Sequence, residues 1–149
     1  MNLLAQRVLS SSLYIEKKEI VSINRGILAL VGFEKDDTSS DCELIADKLL
    51  NYRIFPDDRG RMENSVLDIK GDLLLVPEVT LALQTMKGSR PSFSEAASFD
   101  LGKNLFDELS IKIRKIHGKL EVGTFGADME IKLTNDGPVT FLFKSAGSS

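Results

Sequence analysis

Residues 26–50 read GILALVGFEKDDTSSDCELIADKLL, and the change of period inside this stretch decides the fold class. From Gly26 to Phe33 the chain is a short, continuous apolar run rich in β-formers, the pattern of a buried strand. After Asp36 and Asp37 the spacing switches. Cys42, Ile45, Ala46 and Leu49 recur at i, i+3, i+4 and i+7, and Leu50 widens the stripe, so a helix with one apolar face follows. Ser40-x-x-Glu43 predicts a capping box near its start, where Asp36, Asp37 and Asp41 suit the positive end of the helix dipole.

Towards the N-terminus, Leu3 to Leu9 reads as a first strand, and Leu13–Ile15 and Ile20–Ile23 flank Lys17-Lys18 as a hairpin. Towards the C-terminus, Tyr52–Phe55 reads as a strand, Pro56 to Gly60 as a turn, and Leu73–Val76 as a buried strand stopped by Pro77. Ser98 is a good N-cap for a second helix that turns Leu101, Leu105, Phe106, Leu109 and Ile113 inward and Lys103, Lys112 and Lys115 outward. Leu120–Gly123, Met129–Leu133 and Val139–Phe143 read as further strands. Many short strands with two helices predict an α+β fold, a mostly antiparallel sheet curled into a barrel-like core with two main helices packed outside. No linker divides the chain, so residues 1–144 are expected to form one domain and residues 145–149 a small, polar, frayed tail.

Composition excludes several function classes. A chain of 149 residues with 42% apolar and 28% charged residues is an ordinary globule, long enough to bury roughly 70% of its unfolded surface. The longest apolar stretch is far short of the ~20 residues of a spanning helix, and MNLLAQRVLSSS shows no basic region followed by an apolar one, so a cytoplasmic protein is expected. Cys42 is the only cysteine and His117 the only histidine, which excludes an intrachain disulfide, a Cys-rich zinc site and a multi-histidine metal site. The net charge is −3, yet residues 84–119 carry seven Lys/Arg against four acids, a basic segment on an acidic body that suits phosphate at one edge.

Conventional nucleophiles are in short supply. His117 follows a basic helix end, where a cation is favoured, and Cys42 sits on an apolar helix stripe, so both read as structural. Asp36-Asp37 and Asp57-Asp58 fall in a helix start and a turn, and no metal or cofactor is expected. Two segments stand out. In Val76-Pro77-Glu78-Val79-Thr80 a buried strand ends in a carboxylate and a hydroxyl. Asn135-Asp136-Gly137-Pro138-Val139-Thr140 reads as a hairpin turn. Its Gly-Pro bond can also adopt cis at modest cost, turning two carbonyls the same way to capture an ammonium group.

Eight spaced segments resemble one family: Gln6-Arg7-Val8, Gly32-Phe33-Glu34-Lys35-Asp36-Asp37, Tyr52-Arg53-Ile54-Phe55, Gly60-x-Met62, Leu74-Leu75-Val76, Arg90-Pro91-Ser92-Phe93-Ser94, Phe125-Gly126-Ala127-Asp128-Met129 and Asn135-Asp136-Gly137-Pro138-Val139-Thr140-Phe141. In order, from Met1 to Phe143, they are similar to the D-aminoacyl-tRNA deacylases (D-Tyr-tRNA deacylases). The resemblance implies a cytoplasmic homodimer that hydrolyses the ester between a D-amino acid and the 3′ acceptor end of tRNA, and Gly-tRNA as well. It puts Thr80, Glu78 and Val79 on the catalytic side. It assigns Gly137, Pro138, Asn135 and Thr140 to substrate binding, with Gly137-Pro138 reaching into the partner subunit's pocket. Arg7 would hold that turn, and Phe125 and Met129 would line the pocket.

The Ser-Gln-Phe-Thr that the resemblance leads one to expect stands here as Pro77-Glu78-Val79-Thr80. Proline at the first position resembles the animal-type deacylases that remove L-alanine from mischarged tRNA, and a carboxylate at the second opposes a developing anion. A deacylase for L-Ala-tRNA and a non-catalytic tRNA-binding dimer therefore stand beside the D-specific reading. An aminoacyl ester is already activated, so a positioned water and backbone N–H groups after Pro77 would suffice for hydrolysis.

Overall fold

The computed structural model of the chain describes residues 1–145. Its spine is β1 (Asn2–Ile15). Along one edge β1 pairs antiparallel with β3 (Gly26–Gly32) and then with β2 (Lys18–Ile23), and along the other with β8 (Glu130–Lys144). From β3 the sheet continues in parallel through β6 (Asp72–Pro77) to β7 (Leu120–Val122). β2 returns towards β6 and β7, so the sheet curls into a nearly closed barrel. Helices α1 (Ser39–Asn51) and α3 (Phe99–Ile116) pack against each other outside it, beside the short α2 (Val66–Ile69) and a hairpin of β4 (Phe55–Pro56) and β5 (Met62–Asn64). This is the α+β architecture that the pattern of short strands and two amphipathic helices predicts. No helix among the described residues is long and apolar enough to cross a membrane.

The apolar run of β3 serves two cores at once. Ile27, Ala29 and Val31 join Leu73 and Leu75 of β6 under the helices, in one cluster with Ile45 and Leu49 of α1. Leu28 packs on the opposite face with Val8, Leu13, Leu74 and Val76. A strand covered on both faces needs no polar alternation, which is why the run is continuous.

Where the segments differ from expectation, a hydrogen bond or a cap decides. Leu3–Leu9 and Leu13–Ile15 are one strand, because the intervening Ser11 is buried and its hydroxyl donates to the Lys132 carbonyl at 3.1 Å. The hairpin turns at Glu16 and Lys17, both with positive φ, one residue before Lys17-Lys18. α1 is capped by Thr38 rather than Ser40: the Thr38 N–H donates to the Asp41 carboxylate at 2.8 Å. Tyr52 is the C-cap of that helix, which leaves only Phe55–Pro56 as strand. Ser145 belongs to the folded body and not to a tail. It is buried, its N–H donates to the Met1 carbonyl at 3.0 Å, and its hydroxyl accepts from the Met1 amine at 3.1 Å. Residues 146–149, the rest of the expected tail, lie outside the described residues.

The largest difference is at residues 135–138. Met129–Leu133 and Val139–Phe143 are not two strands of a hairpin. Apart from Met129, they belong to one strand, β8, which pairs with β1 on both sides of the Asn-Asp-Gly-Pro segment. Between the Val8–Asn135 and Gln6–Thr140 pairs the chain spans five residues on β8 but two on β1, so the segment is an enlarged bulge in a continuous ladder. Local turn chemistry is the same in a hairpin and in a bulge, and only the long-range partner distinguishes them.

Candidate functional site

The parallel strands β3 and β6 end side by side at Gly32 and Pro77, and after Pro77 the chain makes a 3-10 turn, Val79–Ala82. The start of α3 and the loop at residues 125–127 face these strand ends and enclose a pocket of about 340 Å³. Its apolar walls include Val31, Phe33, Pro77, Phe99 and Phe125. Phe99 and Phe125 meet edge to face with centroids 5.1 Å apart. Gly102 keeps the space open beneath them, since a Cβ there would sit 3.0 Å from the Phe125 ring. Sequence reasoning placed Phe125 in the pocket and missed Phe99 and Gly102. A signal existed: Gly102, Leu105, Phe106 and Leu109 share the inward helical spacing, and a glycine inside a helix costs ~1 kcal/mol relative to alanine unless a neighbour needs the room.

Glu78 and Val79 line this pocket, and Thr80 does not. Thr80 is exposed and borders a neighbouring depression of about 380 Å³ with Arg90 and Pro91. The Glu78 N–H is already used, donating to the Val31 carbonyl at 2.8 Å. The N–H groups of Val79 and Thr80, in the open first turn of the 3-10 segment, donate to no acceptor among the described residues. Of the donors after Pro77, these two remain for a ligand. Ser98 caps α3, accepting from the Leu101 N–H at 3.2 Å, and brings the positive end of the helix dipole to the pocket rim. Met129 is not at this pocket. It packs on the opposite face of the sheet beside Gly123 and Val76, where β8 begins.

The bulge is built from polar contacts. Arg7, whose side chain is 11% exposed, donates from Nε to the Asp136 carbonyl at 3.0 Å and from Nη1 to the Ile54 carbonyl at 2.9 Å, and pairs with the Asp136 carboxylate at 3.3 Å. The Asn135 amide oxygen accepts from the Val139 N–H at 2.9 Å, and its nitrogen donates to the Thr140 hydroxyl at 3.1 Å. Gly137 has φ 134°, open only to glycine, and a Cβ there would lie 2.7 Å from Val139 Cγ2. The Gly137–Pro138 peptide bond is cis, and both residues are exposed. The structure thus brings Arg7, Asn135, Gly137, Pro138 and Thr140 together. It does not bring them to the pocket of their own chain, for none of residues 135–140 lines it. Arg7 pairs with Ile27 and Asn2 with Gly32 at the pocket, five residues and about 16 Å along the strand.

Cys42 and His117 are structural. Burial, with the neighbouring Glu108 carboxylate, pushes the Cys42 thiol up to about 12. His117 is the C-cap of α3, and its Nε2 lies 2.6 Å from the Gly71 carbonyl, to which it donates.

A nearly closed barrel flanked by two helices, with a pocket at its strand ends, defines a fold shared by solved structures. One, described as the c-Myc DNA Unwinding Element Binding Protein, superposes with TM-score 0.94 at 32% identity, covering 97% of this chain and 99% of its own. Another, described as a probable eukaryotic D-amino acid tRNA deacylase, shares the fold at TM-score 0.85 and 20% identity, covering 95% and 97%. The model of the D-Tyr-tRNA(Tyr) deacylase family matches residues 4–144. Proteins named D-aminoacyl-tRNA deacylase from Francisella tularensis subsp. tularensis and Teredinibacter turnerae are 48% and 49% identical, over 93% and 97% of this chain and 96% and 100% of their own. The chain belongs to the D-Tyr-tRNA(Tyr) deacylase family.

Proposed function

We propose that the protein hydrolyses the ester joining a D-amino acid to the 3′ acceptor end of tRNA, releasing free D-amino acid and tRNA as a proofreading step of translation. The observation that carries this reading is family membership over residues 4–144, which spans both the pocket and the bulge. The activated ester needs no protein nucleophile, in keeping with the protonated, buried Cys42. It needs a placed water and donors for the oxyanion. The Val79 N–H group, which lines the pocket and has no acceptor of its own, is suited to that task, and one such donor is typically worth about 10²–10³ in rate. The positive end of α3 favours the same developing charge.

The bulge completes the site from a second copy. Gly137-Pro138 is exposed, rigidly tied by Arg7 and Asn135, and outside its own pocket, which suits a segment that enters a partner's pocket and presents carbonyls to the α-ammonium group. With the amine held there and the pocket wall crowding the L side-chain direction, D residues fit, and glycine passes for want of a side chain. Phe125 supplies part of that wall, whereas Met129 supports the sheet behind it. A cytoplasmic location, where aminoacyl-tRNA is used, goes with this role.

Deacylation of D-Tyr-tRNA, Gly-tRNA and L-Ala-tRNA measured side by side tests the proposal. D-Tyr-tRNA and Gly-tRNA should be hydrolysed and L-Ala-tRNA spared. Preference for L-Ala-tRNA would establish the reading suggested by Pro77, and tRNA binding without hydrolysis would establish a non-catalytic dimer. Sedimentation at micromolar concentration should give a dimer, and an active monomer would overturn the shared site.

A further inference from the structure

Among the described residues, Glu78 is the only charged one lining the 340 Å³ pocket. It is half-buried, and its carboxylate takes part in no ion pair and no hydrogen bond with any of those residues. Its backbone is fixed at both ends, the N–H on the Val31 carbonyl and the carbonyl on the Leu81 N–H, so the residue cannot leave the pocket rim without breaking the joint between β3 and the 3-10 turn. A carboxylate at the edge of an apolar space keeps its water while the space is open. When a ligand displaces that water the charge must find a partner or be penalised. Every other side chain lining the pocket is uncharged, and so are the exposed Gly137 and Pro138 that a second copy would bring, so the partner has to come with the ligand.

An aminoacyl ester carries one positive group whatever its side chain, the α-ammonium, next to a carbonyl that turns negative during hydrolysis. The pocket has the matching pair: one acidic side chain on the β6 side, and the Val79 N–H group with the positive end of α3 for the carbonyl oxygen. We propose that the Glu78 carboxylate is the ionic partner of the substrate's α-ammonium group, which makes a free amine a specificity requirement of this protein. The inference rests on the pocket being the aminoacyl-ester site. Partner carbonyls can orient an ammonium group, and the carboxylate adds a full opposite charge. Since a carboxylate does not favour an oxyanion, its contribution belongs to substrate binding and appears in KM rather than kcat.

The test uses hydrolysis-resistant analogues, D-tyrosyl amides of 3′-amino-3′-deoxyadenosine with the α-amine free or acetylated, titrated by calorimetry into the intact protein and its Glu78→Gln and Glu78→Asp variants. The wild type should prefer the free amine by about 30-fold. Glu78→Gln should weaken the free-amine analogue about tenfold, equivalent to ~1.4 kcal/mol, and leave the acetylated one within about twofold. Glu78→Asp should keep part of the preference, and raising ionic strength from about 0.05 to about 0.5 M should shrink it in the wild type but not in Glu78→Gln. On D-Tyr-tRNA, Glu78→Gln should raise KM with kcat nearly unchanged. Equal binding of the free-amine analogue by wild type and Glu78→Gln, or an equal loss on both analogues, overturns the proposal. A wild type that binds neither analogue overturns the reading of the pocket itself.

Discussion

The pocket and the bulge are assembled by different physics. The pocket is a gap left by packing: strand ends, aromatic rings and a glycine meet around a space with mainly apolar walls. The bulge is a loop held by named donors and acceptors, with one arginine bridging it to the Ile54 carbonyl and one asparagine closing it internally. Packing tolerates small changes gradually, whereas a polar network fails when one member is removed and its buried partners are left unmet. The two halves of the proposed site should therefore respond to mutation with different severity and different shape.

The sharpest test is Arg7→Ala. It strands the Asp136 and Ile54 carbonyls together, and it should cost about 2–3 kcal/mol in urea unfolding. A bulge displaced by about 1 Å should lower kcat/KM for D-Tyr-tRNA about 100-fold. Arg7→Lys should rescue little, because a point charge cannot replace a fork reaching two carbonyls. Full activity in a folded Arg7→Ala protein would show that the bulge position is irrelevant to catalysis.

Gly102→Val comes next and probes the other region. The new side chain should drive Phe125 into the pocket, with an overpacking cost of about 1–3 kcal/mol and a loss in kcat/KM on the order of tenfold for one crowded apolar wall. The loss should be largest for bulky D residues and smallest for Gly-tRNA, a grading that Arg7→Ala should not show. Equal losses across substrates would merge the two regions into one.

Asn135→Ala should cost about 1 kcal/mol, the usual worth of a lost hydrogen bond. Asn135→Asp should be milder, since a carboxylate still accepts from the Val139 N–H and the Thr140 hydroxyl can rotate to donate to it in place of the lost amide N–H; thermal unfolding of both variants checks the order.

Smallest of all is Cys42→Ala, which should leave deacylation within about twofold because a thiol without a base is no nucleophile here. Its signature is alkaline. Burial pushes the folded thiol up to about 12 from the ordinary value of 9.0, so the unfolded chain loses its proton first. Wild-type stability is thus whole below pH 9 and declines as pH rises from there towards 12. Urea unfolding at pH 8 and pH 10 should show a smaller decline in Cys42→Ala than in wild type.

The helices and strands were legible in the sequence because their information is periodic and local. The stripe Cys42, Ile45, Ala46, Leu49 and the Ser98 cap each carry their own evidence, and eight ordered segments sufficed to indicate the family. The polar break at residues 10–12 hid the unity of β1, since a buried serine becomes a strand residue only when a carbonyl such as that of Lys132 lies opposite it. Pro77 showed that a strand ends, and Gly102, on the inward face of its helix, went unread. Neither showed that the two border one cavity.

What the sequence determined by itself is therefore the α+β class, the two main helices, the family and the chemical character of the short motifs, all properties written within a few residues or in their order. Tertiary structure alone decided that residues 135–138 form a bulge and not a hairpin, that Arg7 reaches both the Asp136 and Ile54 carbonyls, and that Thr80 and Met129 stand away from the pocket that Glu78, Val79 and Phe125 line. The physical reason is range. Backbone preference and side-chain period act over one or two turns, while a bulge, a part-buried ion pair and a cavity exist only once residues far apart in the chain, such as Arg7 and Asp136, are brought into contact by the collapse of a common core.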